Sequence, residues 1–219
     1  MTDIAIVDYG MGNLRSVSKA LEHVAPNVSI SVTSDPKVVR QAGRVVVPGQ
    51  GAMPECLREL DRFGLRSAVE DAATNKPFLG ICLGLQMLFD SSEEGNVTGL
   101  GIVPGRVRRF HVTPAEKGDT DRGAGRKEER LKVPHMGWNQ LRIRKAAPIL
   151  RGLEDGAHMY FVHSFYVVPK DPLIIATETE YGQPFCSMVW KDNLYATQFH
   201  PEKSQSHGLQ MLKNFAELA

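Results

Sequence analysis

Cysteine is scarce in this chain. Its 219 residues include three cysteines, Cys56, Cys82 and Cys186, with no paired spacing among them. Disulfide-stapled domains and zinc sites need their cysteines in closely spaced sets. We therefore expect neither a disulfide framework nor a metal site, and we expect a reducing compartment.

Long apolar runs and excess charge are also lacking. No apolar run approaches the roughly 20 residues that span a bilayer, and Met1-Thr2-Asp3-Ile4 lacks the basic-then-apolar layout of a signal peptide. The net charge is +1, and neither a basic stripe interleaved with aromatic residues nor a Walker-type phosphate loop is present. These absences predict a cytoplasmic protein without a cofactor and without nucleic-acid or membrane partners.

The first ninety residues alternate between strand and helix patterns. Apolar runs at 4–7, 45–47 and 78–81 are typical of buried strands, and 28–32 alternates as a strand. A helix face recurs at Leu14, Val17, Leu21 and Val24, and a second helical region covers 57–69. This alternation predicts an α/β fold: an open, mostly parallel sheet with helices on both faces.

The second half contains short strands rich in β-branched and aromatic residues. They lie near 107–110, 158–168, 173–176, 185–190 and 194–200, and a helix follows Ser204. We expect them to add antiparallel strands to the same sheet. The hydrophobic content is 42%, which suits a single domain over residues 1–219.

One segment departs from this composition. Residues 113–132 are dense in charge and glycine and nearly free of apolar side chains. Such a segment buries too little surface to offset its ordering entropy, so we expect a flexible surface insertion. A solvated loop without a function is the plain interpretation of such a charge run.

Residues 80–84 read Gly-Ile-Cys-Leu-Gly at the end of a predicted strand. This pattern is typical of a nucleophile elbow, a sharp turn that exposes one side chain above a sheet. Leu85, Leu88 and Phe89 continue with helical spacing, so Cys82 would lie at a helix N-terminus, which favours its thiolate. The alternative is that Cys82 is a small buried hydrophobic residue.

A histidine and a carboxylate lie two residues apart near the C-terminus, as His200-Pro201-Glu202. Pro201 disfavours the helical region for His200, and in an extended chain alternate residues share a side. Glu202 could then orient the imidazole of His200, which gives a nucleophile, a base and an orienting carboxylate with Cys82. A lone histidine, by contrast, is more often structural.

The third motif is Pro48-Gly49-Gln50-Gly51, which also follows a predicted strand. In the elbow architecture an oxyanion hole takes one N–H from the residue after the nucleophile, here Leu83, and another from a second strand-end loop. Glycines let amides at Gln50 and Gly51 point inward. Taken alone, the motif is also an ordinary turn.

These three motifs, in this order, resemble the class-I, triad-type glutamine amidotransferases, whose pattern is P-G-x-G, G-x-C-x-G-x-Q and H-P-E. The blocks at 8–14, 134–139, 160–165 and 200–204 resemble, more narrowly, the glutaminase subunits of imidazole glycerol phosphate synthases. The resemblance covers nearly the whole chain except about 113–132.

The resemblance implies roles for individual residues. Cys82 would attack the amide carbon of glutamine, His200 would move protons, and Glu202 would hold His200. Glutamine would be held by Gly51, Gln86, Ser164 and Phe165. Ammonia would pass to a (β/α)8-barrel cyclase partner in a heterodimer of histidine biosynthesis. The residues expected to face this partner are Asn13, Trp138, Tyr160 and Lys203.

Three qualifications accompany these roles. Gln50 stands where the family has a small aliphatic residue, and Phe165 stands where tyrosine is usual. A bulkier side chain at position 50 could alter a reorientation of the Gly49–Gln50 peptide that completes the oxyanion hole. Trp138 has the alternative of a core aromatic residue.

Competing functions share much of this chemistry. The chain could serve another ammonia acceptor, act as a stand-alone γ-glutamyl thiol hydrolase on the same fold, or be an inactive binding subunit. Because an uncoupled glutaminase wastes glutamine, we expect the isolated chain to have almost no glutaminase activity until its partner binds.

Overall fold

The computed structural model describes residues 2–111 and 131–218. Its helices are α1 (Leu14–Val24), α2 (Pro36–Gln41), α3 (Met53–Arg62), α4 (Arg66–Asn75), α5 (Leu83–Gln86) and α6 (Gln205–Ala216). Its strands are β1 (Ile4–Val7), β2 (Ile30–Thr33), β3 (Arg44–Gly49), β4 (Phe78–Cys82), β5 (Phe89–Ser92), β6 (Val97–Thr98), β7 (Val103–Arg109), β8 (His135–Gln140), β9 (Arg142–Ile143), β10 (His158–His163), β11 (Phe165–Pro169), β12 (Ile175–Glu180), β13 (Pro184–Lys191) and β14 (Leu194–Thr197).

The parallel part of the main sheet has the strand order β2-β1-β3-β4-β14. Strand β14 comes from the far end of the chain, yet it pairs with β4 so that Thr197 lies opposite Ile81. The residues that follow these two strands are therefore neighbours at one sheet edge. This pairing brings Cys82 close to the segment that contains His200.

The rest of the main sheet is largely antiparallel. Strands β13, β11 and β7 continue outward from β14, and β12 pairs with β13. Strands β8 and β10 form a separate antiparallel pair. The predicted fold class, a largely parallel sheet with antiparallel additions in the C-terminal half, is confirmed.

Both faces of the parallel strands are covered by helices. Val45 and Val47 of β3 pack in one core cluster with side chains of α3 and α4. Val46, on the opposite face of the same strand, packs in a second cluster with side chains of α1 and α6. This alternation explains why the strands read as continuous apolar runs.

The expected helix after the elbow is wrong beyond its first turn. Helix α5 ends at Gln86, and Phe89 already lies in β5. The reason is competition for carbonyl groups: those of Met87, Leu88 and Phe89 accept hydrogen bonds from Leu100, Ile102 and Gly101, respectively. Leu85, Leu88 and Phe89 are all buried, so their helical spacing reflected a shared core and not a shared helix face.

One further expectation about the helices needs adjustment, and two others are not tested by the described residues. The helical region predicted at 57–69 is two helices, α3 and α4, with a break at Gly64. Residues 113–130 of the expected insertion lie outside the described residues, and the single-domain organisation stays a prediction. Within the described parts of the chain, no helix has both the length and the apolar character needed to cross a membrane.

Candidate active site

Cys82 ends β4 in a strained turn. Its φ of 56° and ψ of −105° are rare for a residue with a side chain, as expected of a nucleophile elbow. The flanking residues must be glycines because neighbouring backbone lies too close to admit a Cβ atom. A Cβ on Gly84 would lie 1.9 Å from the Val47 carbonyl oxygen, and one on Gly80 would lie 2.6 Å from the Gly84 carbonyl oxygen. The turn therefore depends on both glycines.

His200 and Glu202 form a buried pair. His200 Nδ1 lies 2.9 Å from Glu202 Oε1, and the two side chains are 3% and 1% exposed. His200 is extended, as Pro201 predicts, but Pro201–Lys203 is a single 3-10 turn and not an extended segment. The turn brings the carboxylate of Glu202 to the ring by a route that the sequence pattern did not anticipate.

The electrostatics of the site favour a protonated His200. Burial of the ring opposes protonation, but the Cys82 sulfur and the Glu202 carboxylate outweigh burial and raise the pKa of His200 well above 6.5. His200 Nε2 has no hydrogen-bond partner among the described residues. It is therefore free to exchange a proton with the Cys82 sulfur or with a bound molecule.

A cavity of about 380 Å³ collects most of the predicted site residues. Those that line it are Gln50, Gly51, Cys82, Leu83, Gln86, Ser164, Phe165, His200 and Lys203. Pro134, Val162, His163 and Glu94 also line it and were not predicted. Across the described part of the chain, no group of three or more His, Cys, Asp or Glu side chains could hold a metal ion.

Two buried side chains hold the loop that contains Gln50 and Gly51. The Tyr9 hydroxyl donates to the Pro48 carbonyl over 2.7 Å, and the Cys56 thiol donates to the Gln50 carbonyl over 3.6 Å. Burial raises the pKa of Tyr9, and it raises the pKa of Cys56 to about 12, so both keep the protons they donate. Because the Gln50 carbonyl points toward Cys56, the Gly51 N–H of the same trans peptide points the opposite way.

Gln86 lies at the centre of a buried hydrogen-bond chain. Its Nε2 donates to the Phe165 carbonyl over 3.1 Å and to Gln198 Oε1 over 3.0 Å. Gln198 was not singled out in the sequence, although it lies two residues before His200 in the same motif. Its position beside the elbow depends on the pairing of β14 with β4, which sequence alone does not give.

A second buried network joins the cavity to β8. His163 Nδ1 lies 2.7 Å from the Phe165 carbonyl, and His163 Nε2 lies 2.9 Å from His135 Nδ1. Because a carbonyl only accepts, His163 donates from Nδ1 and accepts at Nε2 from His135. Asn139 Nδ2 then donates to His135 Nε2 over 3.2 Å. Burial lowers the pKa of His135 to about 4 and that of His163 to about 3, so both rings stay neutral.

These two histidines predict a loss of stability in mild acid. They gain protons near pH 6.5 in the unfolded chain but only at about 4 and about 3 in the folded protein. Between those values the unfolded state binds more protons, so the free energy of unfolding falls as pH is lowered, by up to about 1.4 kcal/mol per pH unit for each histidine. Urea unfolding across this range measures the slope.

His163→Gln should flatten that slope because one titrating group is removed. His23→Gln, at an exposed position in α1, is the matched control and should keep the wild-type slope. Equal slopes in wild type and His163→Gln would contradict the assignment of the acid sensitivity to the buried pair.

Three of the four residues expected to face a partner lie together in one aromatic cluster, and the fourth, Asn13, is not linked to it by a contact among the described residues. Trp138 is 46% exposed, so it is not a core aromatic residue, and its ring lies edge-on to Tyr160 with centroids 6.0 Å apart. Lys203 Nζ lies 6.0 Å from the centroid of the Tyr160 ring. Asn13 precedes α1 and is partly buried. Met136, on the same face of β8 as Trp138, is 62% exposed.

Comparisons with known proteins agree with this geometry. The model of the family "Glutamine amidotransferase class-I" matches residues 5–218. The imidazole glycerol phosphate synthase subunit HisH of Nitrosospira multiformis is 62% identical over 98% of this chain and 97% of its own length. The subunit of the same name from Aromatoleum aromaticum is 58% identical over all of both chains. The solved PurLQS structure from Thermotoga maritima superposes with a TM-score of 0.68 at 17% identity, covers 98% of both chains, and shows likeness of fold alone.

Proposed function

The chain belongs to the class-I glutamine amidotransferase family, and we infer that it is the glutaminase subunit of an imidazole glycerol phosphate synthase, acting in histidine biosynthesis. The observation that carries this inference is the meeting of Cys82 and His200 at one cavity, with Glu202 behind the ring. Relatives 51–62% identical over nearly their full length bear the name of that subunit.

The reaction begins at the Cys82 sulfur. The sulfur attacks the side-chain amide carbon of glutamine, and a C–S bond forms as charge develops on the carbonyl oxygen. His200, protonated from the thiol, gives that proton to the amide nitrogen, so the C–N bond breaks and ammonia leaves. Glu202 stabilises the imidazolium that exists between these two transfers.

Hydrolysis of the thioester completes the cycle. Neutral His200 takes a proton from a water molecule, which attacks the γ-glutamyl carbon, and the Cys82 sulfur leaves with that proton. The net reaction converts glutamine and water into glutamate and ammonia. We propose that the oxyanion is held by the Leu83 N–H and by amides of Gln50 and Gly51. The bond from Cys56 to the Gln50 carbonyl orients the Gly51 amide of the same peptide, and the bond from Tyr9 to the Pro48 carbonyl holds the start of the loop.

Recognition of glutamine can be assigned by charge and hydrogen bonding. Among the described residues that line the cavity, Glu94 is the one carboxylate, and it complements the α-ammonium group of an amino acid. We place the amino-acid end against Glu94 and against Gly51, Ser164 and Phe165. Both N–H groups of Gln86 Nε2 are already donated, so its Oε1 remains to accept from the substrate.

The ammonia acceptor is proposed to be a (β/α)8-barrel cyclase subunit in a heterodimer. The cluster of exposed Met136 and Trp138 with half-buried Tyr160 and Lys203 supports this proposal, since aromatic residues and methionine are enriched in interface cores. Lys203 also lines the cavity of Cys82, so this cluster adjoins the site where ammonia is released. The free thiols of Cys56, Cys82 and Cys186 suit a cytoplasmic location.

Trp138→Ala tests the interface. Truncating a large aromatic anchor typically costs about 2 kcal/mol or more of binding, so affinity for the cyclase should fall by roughly 30-fold. Binding is measured by calorimetry with the purified cyclase. Leu173→Ala is the matched control, because Leu173 is 76% exposed but lies outside the cluster, and it should bind like wild type.

The function itself is tested by adding the cyclase and its substrate. We expect the isolated chain to hydrolyse glutamine slowly and the complex to do so roughly 10²–10³ times faster, since partner docking is proposed to complete an oxyanion hole. Full turnover without the cyclase, or no stimulation by it, would favour a stand-alone thiol hydrolase. Coupling to a different acceptor enzyme would point to another member of the family.

A further inference from the structure

Stabilisation of the Cys82 thiolate needs more than the elbow provides. Helix α5 spans only Leu83–Gln86, so few peptide dipoles align behind the sulfur and the helix N-terminus contributes little. The sulfur also has little contact with water, since Cys82 is 6% exposed. A charged sulfur at such a position needs donors from the protein itself.

Gln198 supplies such a donor. Its Nε2 lies 3.7 Å from Cys82 Sγ, and the side chain is fully buried. The position follows from the sheet: Thr197, the last residue of β14, pairs with Ile81, so the residue that follows β14 lies beside Cys82, the last residue of β4. The Gln198 main-chain N–H is held by the Ser187 carbonyl over 2.8 Å, which fixes the start of this segment.

The orientation of the Gln198 amide is decided by its neighbours. The Phe165 carbonyl only accepts, so Gln86 must present Nε2 to it, and the second N–H of that nitrogen reaches Gln198 Oε1. A flipped Gln198 would set two NH2 groups face to face. With its oxygen committed to Gln86, Gln198 can only present Nε2 to the sulfur.

We propose that Gln198 is a further catalytic residue of this site, whose side-chain amide donates to the Cys82 sulfur and favours the thiolate over the thiol. Gln86 and the Phe165 carbonyl are positioning groups that aim this donor. The assignment rests on the proposed function in taking Cys82 as the nucleophile. The family pattern already implies His200 as a charged partner of the sulfur, and Gln198 is a second, neutral donor to the same atom.

Gln198→Met removes the donor with little change in side-chain length. Hydrogen bonds to charged groups contribute about 1.5–3 kcal/mol, so kcat of the complex with the cyclase should fall by roughly 10- to 100-fold. The KM for glutamine should change little because Gln198 contacts the sulfur. The pH midpoint of Cys82 alkylation by iodoacetamide, located by mass spectrometry, should move to higher pH.

Gln198→Glu keeps the shape and sets a carboxylate beside the sulfur. It should slow alkylation near pH 7 at least as strongly as Gln198→Met, and it supplies the test if the methionine variant fails to fold. The control is Gln210→Met, on the exposed face of α6, which should match wild type in kcat, KM and alkylation profile.

The outcomes separate this inference from the proposed function. Wild-type kcat and an unmoved alkylation midpoint in folded Gln198→Met and Gln198→Glu would overturn the role of Gln198 alone. Substantial glutaminase activity in a variant that lacks the Cys82 sulfur would instead overturn the proposed function. A raised KM with unchanged kcat in Gln198→Met would also overturn the role, because it would mean that the amide binds glutamine and not the sulfur.

Discussion

Cys82→Ala should lower glutamine hydrolysis by the complex by about 10⁴-fold or more, because the attacking sulfur is removed and no covalent intermediate can form. The remaining members of the site would have nothing to activate. The rate of glutamate release, measured with saturating glutamine and an excess of the cyclase, gives the effect directly.

Ammonia provides the internal control for this variant. If the chain only delivers ammonia, then the Cys82→Ala complex supplied with an ammonium salt should still make the cyclase products at the wild-type ammonia-driven rate. Cys186→Ala is the matched cysteine control, since Cys186 is buried in β13, and it should keep glutaminase activity within about twofold. Residual glutamine hydrolysis above one percent in Cys82→Ala would argue for a different nucleophile.

Gly84→Ala should strongly destabilise the folded chain. The added methyl group would lie 1.9 Å from the carbonyl oxygen of Val47, which is fixed in the central strand β3 and cannot retreat. Clashes with fixed backbone belong to the rare substitutions that cost about 4 kcal/mol or more. We expect a correspondingly lower urea midpoint, or a chain that does not accumulate as folded protein.

Gly64→Ala separates this clash from the general cost of replacing glycine. No atom lies within 4 Å of a Cβ built there, but φ is +65°, so only backbone strain of about 1–2 kcal/mol is expected. Gly84→Ala with a urea midpoint equal to that of Gly64→Ala would show that β3 or the elbow can shift to admit the methyl group.

The predictions that agree best with the structure are those that rest on a few consecutive residues. Gly-x-Cys-x-Gly specified a strained turn because only glycine fits where β3 and β4 approach α5. His200-Pro201-Glu202 specified an imidazole with its own carboxylate, although a 3-10 turn and not an extended chain makes the contact.

The spacing of apolar residues gave a wrong helix prediction where backbone from a distant segment competes for the same hydrogen bonds. Leu85, Leu88 and Phe89 are spaced as on a helix, but residues 100–102 capture the carbonyls that would continue it. No local sequence pattern shows such competition.

Gln198, His135 and His163 were not predicted as site residues because their hydrogen-bond partners are also distant in the sequence. Each bonds a side chain at least 28 positions away.

The sequence alone determined the fold class and the family, because periodicity encodes the first and the resemblance of local motifs carries the second. It predicts Cys82, His200 and Glu202 as the triad, and their catalytic roles stay a proposal. Only the tertiary structure decided which donors reach the sulfur, which face Trp138 presents and how far α5 extends. Those outcomes depend on the register between β4 and β14 and on which backbone groups meet across the sheet. Register is a property of two segments more than a hundred residues apart, so it becomes visible only when the chain is folded.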